Sequence, residues 1–336
     1  MPSTPHLNTK PHALVTGATG FIGSHLVESL VQKNYDVFCI VRKTSDLSLL
    51  KNLPCTLIDG DITDRNSLID AVRDKDIIFH LGGLTKAKSV TDYYRVNADA
   101  SRHLYEICLQ HNPGIRKIVH VSSLAAAGPS TPGKPRVESD SENPLTDYGK
   151  SKLAGEKIAV SFMNKLPITI IRPPAVYGPR EKDIFFYFQL IDKHIKPILG
   201  FQTKYLTIIH ALDLVEAIVR AAESPQSTGH TYFVDDGYVY SWQDLSSTIQ
   251  KASGTWAIPL TIPEWLISGI AHIAEFFSRF SSNPALLNRQ KIIELKQVAW
   301  TTNSEKIKRD LGFSPKYDLL KGCKMTVDWY RENGWL

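Results

Sequence analysis

The sequence predicts an α/β protein with a doubly wound parallel sheet and a smaller, interleaved carboxyl-terminal lobe for the substrate. Short β-branched runs alternate with helical patterns through the first half of the chain. The runs are apolar almost throughout, as expected for a parallel sheet buried on both faces. The chain has 336 residues, which is enough for one large or two ordinary domains.

The elements follow one another in the order that this fold requires. Strands are predicted at His12–Thr16, 37–41, 55–58, 77–81, Lys117–Val121, Ile168–Arg172 and 231–234. Helical spacing is clearest over 21–33, where apolar residues recur every fourth position, and a later helix is predicted over 242–251. Strand, helix and strand in alternation imply right-handed crossovers.

The regular alternation of strand and helix patterns ends after residue 172, where prolines and an aromatic run introduce irregular structure. We therefore expect a first domain over 12–172, with its sheet completed by 206–235. The substrate-binding lobe is expected to combine 173–205 and 236–336.

Composition excludes several classes of protein. Hydrophobic residues make up 43% and charged residues 22%, which is ordinary for a globular chain. The net charge of +5 is scattered, so nucleic acid is not an expected partner. The four cysteines stand singly, without metal-ligand spacing, and no signal-like apolar segment opens the chain. We expect a reduced, cytoplasmic protein that binds a small molecule and no metal.

A glycine-rich turn connects the first predicted strand to the first helix. The residues that we expect to contact a dinucleotide here are Gly17, Thr19, Gly20, Phe21, Ile22 and Gly23. Glycine permits close approach of the backbone to a pyrophosphate, and the helix N-terminus offers free N–H groups. Because the turn lies at the first crossover, it predicts a Rossmann fold. The alternative is a glycine turn that only joins two packed elements.

The end of the second strand indicates which dinucleotide is bound. NAD is usually selected by an acidic residue about 20 residues beyond the glycines. Here Val41 is followed by Arg42 and Lys43, and Asp36 lies at the wrong end of that strand. A guanidinium and an ammonium suit a 2′-phosphate, so we expect NADP rather than NAD. The alternative is a solvated basic turn.

Tyr148 and Lys152 form a second constellation, because residues four apart share a face of a helix. A phenol ionises near pH 10, but a neighbouring ammonium and a positive nicotinamide ring favour the phenolate. We therefore expect Tyr148 to be an acid/base group whose pKa lies nearer neutrality. Upstream, a predicted strand ends in Ser122 and Ser123, and either hydroxyl could hold a carbonyl oxygen. The alternative is a helix-surface pair and an unrelated turn.

The motifs TGATGFIG, HLGG, VSS, YGKSK and RPPAVYGP resemble the extended short-chain dehydrogenase/reductase family, also called the NAD-dependent epimerase/dehydratase superfamily. The resemblance runs from about residue 12 to residue 335. It implies a catalytic triad of Ser123, Tyr148 and Lys152, because Ser123 lies 25 residues before the tyrosine. Further cofactor contacts that it implies are Asp61 and Ile62 at the adenine, Leu81, Gly82 and Gly83 at the pyrophosphate and ribose, and Pro173 and Val176 at the nicotinamide. It also implies a homodimer that pairs through helices near 93–110 and 148–164.

One departure from the family pattern bears on the substrate. Members acting on nucleotide sugars usually have an asparagine that contacts the diphosphate, and this chain has Ala175 there. With Arg42, this makes the chain resemble the 3β-hydroxysteroid dehydrogenase and dihydroflavonol-reductase-like branches, which act on bulky apolar molecules. We therefore expect an NADP-dependent oxidoreductase that interconverts a carbonyl and a secondary alcohol. The alternative is a nucleotide-sugar epimerase or dehydratase with tightly bound NAD.

An apolar stripe at helical spacing lies in the carboxyl-terminal part. It runs over 262–280 and includes Leu266, Ile270, Ile273, Phe277 and Phe280. Its charged neighbours argue against a membrane span. Three interpretations of this stripe remain open: a helix packed on the substrate lobe, a lid over an apolar pocket, and shallow contact with a membrane surface. His210, in a motif at the lobe junction, is interpreted as structural.

Overall fold

The centre of the fold is a parallel sheet, seen in a computed structural model that describes residues 10–266, 269 and 289–336. The strands are β1 (His12–Thr16), β2 (Asp36–Val41), β3 (Thr56–Asp59), β4 (Ile77–His80), β5 (Lys117–Val121), β6 (Ile168–Arg172), β7 (Ala175–Tyr177), β8 (Ile195–Leu199), β9 (Tyr205–Leu206), β10 (Ile208–His210), β11 (Thr231–Phe233), β12 (Tyr240–Ser241), β13 (Ile258–Ile262) and β14 (Ala299–Trp300). Seven of them form the central sheet in the order β11-β6-β5-β4-β1-β2-β3, and all its neighbouring pairs are parallel. The predicted fold class is confirmed, and each predicted strand lies within one residue of its observed bounds.

Helices cover both faces of this sheet. They are α1 (Phe21–Gln32), α2 (Arg65–Val72), α3 (Val90–Tyr94), α4 (Ala100–His111), α5 (Leu124–Ala127), α6 (Asp147–Phe162), α7 (Phe185–Asp192), α8 (Ala211–Glu223), α9 (Trp242–Ser253), α10 (Arg289–Leu295), α11 (Glu305–Leu311) and α12 (Leu319–Glu332). Alternate residues of β1 enter opposite cores: Val15 packs with α1 and α8, whereas Leu14 packs with α2, α4 and α6. The apolar runs of β1, β4, β5 and β6 are therefore explained by burial on both faces, whereas β3 at the edge of the sheet is largely exposed.

The order of the strands creates a crevice above β1 and β4. From β1 the chain proceeds outward through β2 and β3, then returns to place β4 on the other side of β1. Thr16 and His80, the last residues of β1 and β4, are partners in the sheet register. The loops after them diverge, and such a switch point is where doubly wound sheets bind ligands.

The carboxyl-terminal part adds small sheets and a third core. β7 pairs with β10, β8 with β13, and β9 with β12 and β14. Tyr177, Phe188 and Tyr330 lie in a core built with α7, α9 and α12. The division into domains at residue 172 and the completion of the central sheet by 206–235 stay predictions. Within that range, β11 pairs with β6 of the central sheet, whereas β10 pairs with β7.

The predicted helical stripe over 262–280 does not begin at residue 262, because that residue is the last one of the strand β13. Ile270, Ile273, Phe277 and Phe280 lie outside the described residues. None of the helices in the described part of the chain combines the length and the apolar character needed to span a bilayer.

Candidate active site

The glycine turn lies in the crevice between β1 and β4. Gly17 has a φ of +71°, and a Cβ there would lie 2.9 Å from the Gly82 nitrogen. A side chain at Gly17 would therefore separate the two loops. α1 begins at Phe21 with Gly20 as its N-cap, without a side-chain cap and without an acidic residue in its first turn. The backbone N–H groups of this turn thus remain suited to an anionic group such as a pyrophosphate.

A cavity of about 500 Å³ lies beyond the ends of β2 and β3, and Arg42, Lys43, Asp59 and Asp61 are among the residues that line it. The Arg42 side chain is exposed, whereas the Lys43 ammonium lies 3.6 Å from an Asp59 carboxylate oxygen. Asp61 accepts two hydrogen bonds from Thr63, both of 2.8 Å. The cavity and the glycine turn together fit a dinucleotide, with the exposed guanidinium available to an anion.

The loop after β4 is fixed by buried polar groups. Thr16 Oγ1 accepts a hydrogen bond of 2.9 Å from the Gly82 nitrogen and contacts His80 Nδ1 at 2.9 Å. The Ile62 side chain lies beside Gly82, since a Cβ on that glycine would be 2.7 Å from Ile62 Cδ1. Among the residues predicted to hold the cofactor, the structure thus brings Ile62, Leu81, Gly82 and the glycine turn together.

Ser123 and Tyr148 meet at the carboxyl edge of β5. Ser123 is the N-cap of α5, and its Oγ accepts a hydrogen bond of 3.1 Å from the Ala125 nitrogen. The Ser123 hydroxyl also lies close enough to Tyr148 to lower the pKa of the phenol. A Cβ on Gly149 would lie 2.4 Å from the Ala125 oxygen, so the glycine after the tyrosine permits this close approach. The neighbouring Ser122 is buried instead, and its hydroxyl has no partner among the described residues.

Lys152 lies one turn further along α6 and is only 6% exposed. Its ammonium donates a hydrogen bond of 2.8 Å to the Val121 carbonyl oxygen. Burial lowers the pKa of Lys152 to about 8, and the nearby Glu156 carboxylate opposes this shift. The side chain is thus still charged at neutral pH, next to the end of the strand that carries Ser123.

The expected shift of the Tyr148 pKa toward neutrality depends on a bound nicotinamide ring and stays a prediction. In the protein without cofactor, burial raises this pKa to about 12, and the nearby Ser123 hydroxyl only partly opposes the rise. The negative charges of Glu294 and Asp183 raise it further. Tyr148 therefore keeps its proton at neutral pH and is suited to donate it.

Three residues that the sequence analysis missed surround this group. Asn97, in a π-helical turn between α3 and α4, is 1% exposed and bonds to both Ser151 and the backbone of Leu84. Tyr93 places its ring 6.2 Å from that of Tyr148. Glu294 accepts a hydrogen bond of 3.4 Å from Thr146 at the start of α6. No spacing rule connects these residues to the tyrosine, because separate segments bring them there.

The segment after β6 lines the same edge of the sheet. The Pro173 oxygen accepts a hydrogen bond of 2.8 Å from the Leu124 nitrogen, which connects this segment to the Ser123 turn. Val176 pairs with Ile209, while Ala175 is exposed and offers no side-chain donor. His210 is buried and caps the N-terminus of α8, and its ring centroid lies 4.4 Å from that of Tyr317 in a stacked arrangement. These contacts support a structural role.

Arg180 has a left-handed backbone and reaches α1. Its guanidinium donates hydrogen bonds to Ser24 at 3.2 Å and to Glu28 at 2.9 Å. On the other side, Lys86 and Asp183 form an ion pair between the loop after β4 and the segment that precedes α7. Of these groups, Asp183 acts on the pKa of Tyr148.

Comparison with known proteins gives a family match over most of this site. The model for the NAD dependent epimerase/dehydratase family matches residues 13–234, which include the glycine turn, Ser123, Tyr148 and Lys152. A ceramide reductase of Caulobacter vibrioides is 30% identical over 326 residues, covering 96% of this chain and 95% of that protein. The uncharacterized UDP-glucose epimerase YtcB of Bacillus subtilis is 33% identical over 267 residues, covering 72% of this chain and 82% of that protein.

A further relative and two solved structures match this chain over nearly its whole length. The decarboxylating sterol-4-alpha-carboxylate 3-dehydrogenase of Dictyostelium discoideum is 24% identical over 332 residues, covering 93% of this chain and 98% of that protein. The structure of gox2253 has a TM-score of 0.80 at 24% identity, covering 97% of this chain and 99% of that one. MoeE5 in complex with UDP-glucose and NAD has a TM-score of 0.76 at 24% identity, covering 96% of this chain and 99% of that one. The structural matches support the doubly wound fold.

Proposed function

Because this chain belongs to the NAD dependent epimerase/dehydratase family and is an NAD(P)-dependent oxidoreductase, we propose that it uses NADP to interconvert a carbonyl and a secondary alcohol on a bulky apolar molecule. The observation that carries the proposal is the surroundings of Tyr148. This phenol keeps its proton, and its pKa responds to the Ser123 hydroxyl and to the carboxylates of Asp183 and Glu294. Ala175 offers no side-chain donor to a diphosphate at the same edge.

The three catalytic residues have distinct roles in the reducing direction. Ser123 accepts a hydrogen bond from the Ala125 nitrogen, so its own hydroxyl proton can point to the substrate carbonyl oxygen. Tyr148 donates its proton to that oxygen as negative charge develops there. The bound nicotinamide supplies the hydride in this direction and accepts it in the other.

Lys152 binds the cofactor and stabilises charge at the phenol. One of its three donors is used by the Val121 oxygen, which leaves two for the ribose hydroxyls of the dinucleotide. Once Tyr148 has given up its proton, the ammonium stabilises the phenolate electrostatically. This favourable interaction is needed because burial and two carboxylates oppose the phenolate.

Arg42 is the residue that favours NADP over NAD. Its guanidinium is exposed at the cavity beyond β2 and β3, where a 2′-phosphate would accept its hydrogen bonds. Lys43 contributes less, since Asp59 lies 3.6 Å from its ammonium. The assignment of Arg42 and Lys43 to the phosphate, and of Asp61 to the adenine, is part of this proposal.

The position of Ala175 and the names of two relatives favour an uncharged substrate. The carboxylates of Asp183 and Glu294 raise the pKa of the phenol, but each is paired with a lysine, Lys86 and Lys291, so their charge is largely balanced. Two of the relatives are named for a ceramide and a sterol, which are both lipids. We therefore propose a keto or hydroxyl group on a long-chain or fused-ring lipid as the reacting group.

A nucleotide-sugar epimerase is the second candidate. The observation that favours it is the identity of 33% with a protein named as a UDP-glucose epimerase. In such an enzyme the hydride returns to the sugar, so no net oxidation of the cofactor takes place. The alanine at position 175 and the relatives named for lipids are the reasons for placing it second.

A substrate panel separates the two candidates. Purified protein would be incubated with NADPH and long-chain 3-keto lipids in mixed micelles, with UDP-glucose, and with Tyr148→Phe as control. We expect loss of absorbance at the NADPH band and a lipid alcohol by mass spectrometry, both absent in the variant. Conversion of UDP-glucose without any change in NADPH, by protein that releases bound NAD on denaturation, would instead establish the second candidate.

A further inference from the structure

A buried ion pair lies behind the catalytic face of α6. Glu156 follows Lys152 by one helical turn, as Lys152 follows Tyr148. Glu156 is 2% exposed, and both of its carboxylate oxygens accept hydrogen bonds of 3.0 Å from Nε of Arg172. Arg172 is the last residue of β6 and is 4% exposed. The pair thus connects the catalytic helix to the strand end where Pro173 begins.

Stability alone does not explain such a pair. Removing two charges from water costs about as much as their attraction returns, and apolar residues of similar size often pack at least as well. Lys152 poses the complementary problem, because its visible bond is to the neutral Val121 oxygen. A buried ammonium with a neutral partner tends to lose its proton.

We propose that Glu156 is a positioning residue for Lys152: held in place by Arg172, its carboxylate keeps the lysine charged beside Tyr148. Side chains four apart on a helix are neighbours, with Cβ atoms about 5–6 Å apart. The importance of that charge rests on the proposed function, in which the ammonium stabilises the tyrosine phenolate. The electrostatic link between Glu156 and Lys152 does not depend on that function.

The other groups that face Lys152 do not supply a negative charge at neutral pH. Tyr148, on the same helix, keeps its proton because burial raises its pKa to about 12. His80 from β4 and His120 from β5 are uncharged, since burial lowers the pKa of His80 to about 3 and that of His120 well below its ordinary value. Among the described residues, Glu156 is the carboxylate that raises the pKa of Lys152 against burial.

Glu142 provides a matched control. Its carboxylate accepts a hydrogen bond of 3.2 Å from the same Arg172 guanidinium, but its side chain is 38% exposed. Glu142→Gln therefore removes one negative charge from the same arginine and leaves the inner pair intact. If any carboxylate bound to Arg172 raised the pKa of Lys152, then Glu142→Gln and Glu156→Gln would lower that pKa by the same amount.

The direct test is the titration of Lys152 by NMR in protein labelled with ¹³C-lysine, with the signal assigned by its loss in Lys152→Met. In the unaltered protein without cofactor, we expect Lys152 to titrate with a midpoint near pH 8. Glu156→Gln is expected to lower the midpoint by roughly one pH unit or more, because an attractive charge is lost. Glu142→Gln should leave it close to the value of the unaltered protein, and Glu156→Asp should restore most of the shift.

A second variant covers the case in which Glu156→Gln fails to fold. Glu156→Gln combined with Arg172→Met removes the whole pair and leaves no buried arginine unpaired. The midpoint should fall less than in the single variant, because the positive charge of Arg172 is lost together with the carboxylate, which is the charge that acts on the pKa of Lys152. An unchanged midpoint in either variant overturns the proposal. Turnover gives a separate measurement. The pH at which kcat falls on the alkaline side of its pH profile should decrease together with the midpoint of Lys152. If the midpoint moves and turnover does not, the link between the residues holds and the catalytic role of Lys152 is wrong.

Discussion

Arg42→Ala is expected to remove most of the preference for NADP. The Arg42 side chain is exposed at the cavity beyond β2 and β3, and the Asp59 carboxylate already lies 3.6 Å from the ammonium of Lys43. Arg42 interacts with the Asp61 carboxylate only through its charge, which lowers the pKa of Asp61, so its guanidinium supplies most of the positive charge available to a 2′-phosphate. A hydrogen bond to a charged group contributes about 1.5–3 kcal/mol. Since each 1.4 kcal/mol is about tenfold in affinity, the Kd for NADP should rise by about 10- to 100-fold.

Titration calorimetry with both cofactors measures this effect. The Kd for NAD should change little in Arg42→Ala, because NAD has no phosphate at that position. Lys43→Ala is the matched control, and its effect on NADP should be smaller since Asp59 already attracts that ammonium. The difference between the cofactors should shrink as salt is raised, because the contact is exposed. Equal affinity of the unaltered protein for NAD and NADP would refute the reasoning.

Further expectations concern catalysis, the substrate and assembly. Tyr148→Phe keeps the ring and removes the proton donor, so kcat should fall by about 10²–10⁴-fold with little change in the Kd for NADPH; retained turnover would assign the proton to another group. Ala175→Asn should improve UDP-sugar binding without creating turnover, as judged by calorimetry, and micromolar binding by the unaltered protein would contradict an apolar pocket. Pairing through 93–110 and 148–164 predicts a homodimer, and a monomer mass by light scattering at micromolar concentration would end that expectation.

Features encoded by neighbouring residues could be predicted from the sequence. The strands of the central sheet were located within one residue because each is an apolar run bounded by polar or turn residues. The glycine turn could be recognised because it stands between a strand and a helix. Ser123 could be preferred over Ser122 only through the family resemblance, and in the structure it is the Ser123 hydroxyl that acts on the pKa of Tyr148.

Features assembled from distant segments could not be predicted. The pKa of Tyr148 depends on burial and on Asp183 and Glu294, which are far from it in sequence. Asn97 and Tyr93 reach the site through the packing of α3 and the π-helical turn against α6, and no spacing in the sequence indicates that packing. The charge near an active site therefore requires the fold, even when the reacting groups can be recognised from a motif.

Deuterium transfer tests the central claim most directly. Purified protein would be given a long-chain 3-keto lipid and NADPH that carries deuterium at both C4 positions of the nicotinamide ring, and the lipid product would be analysed by mass spectrometry. The account predicts an alcohol with a single deuterium on the carbinol carbon and one NADP⁺ formed for each product molecule. An unlabelled alcohol, or epimerised UDP-glucose with no NADP⁺ formed, would contradict it.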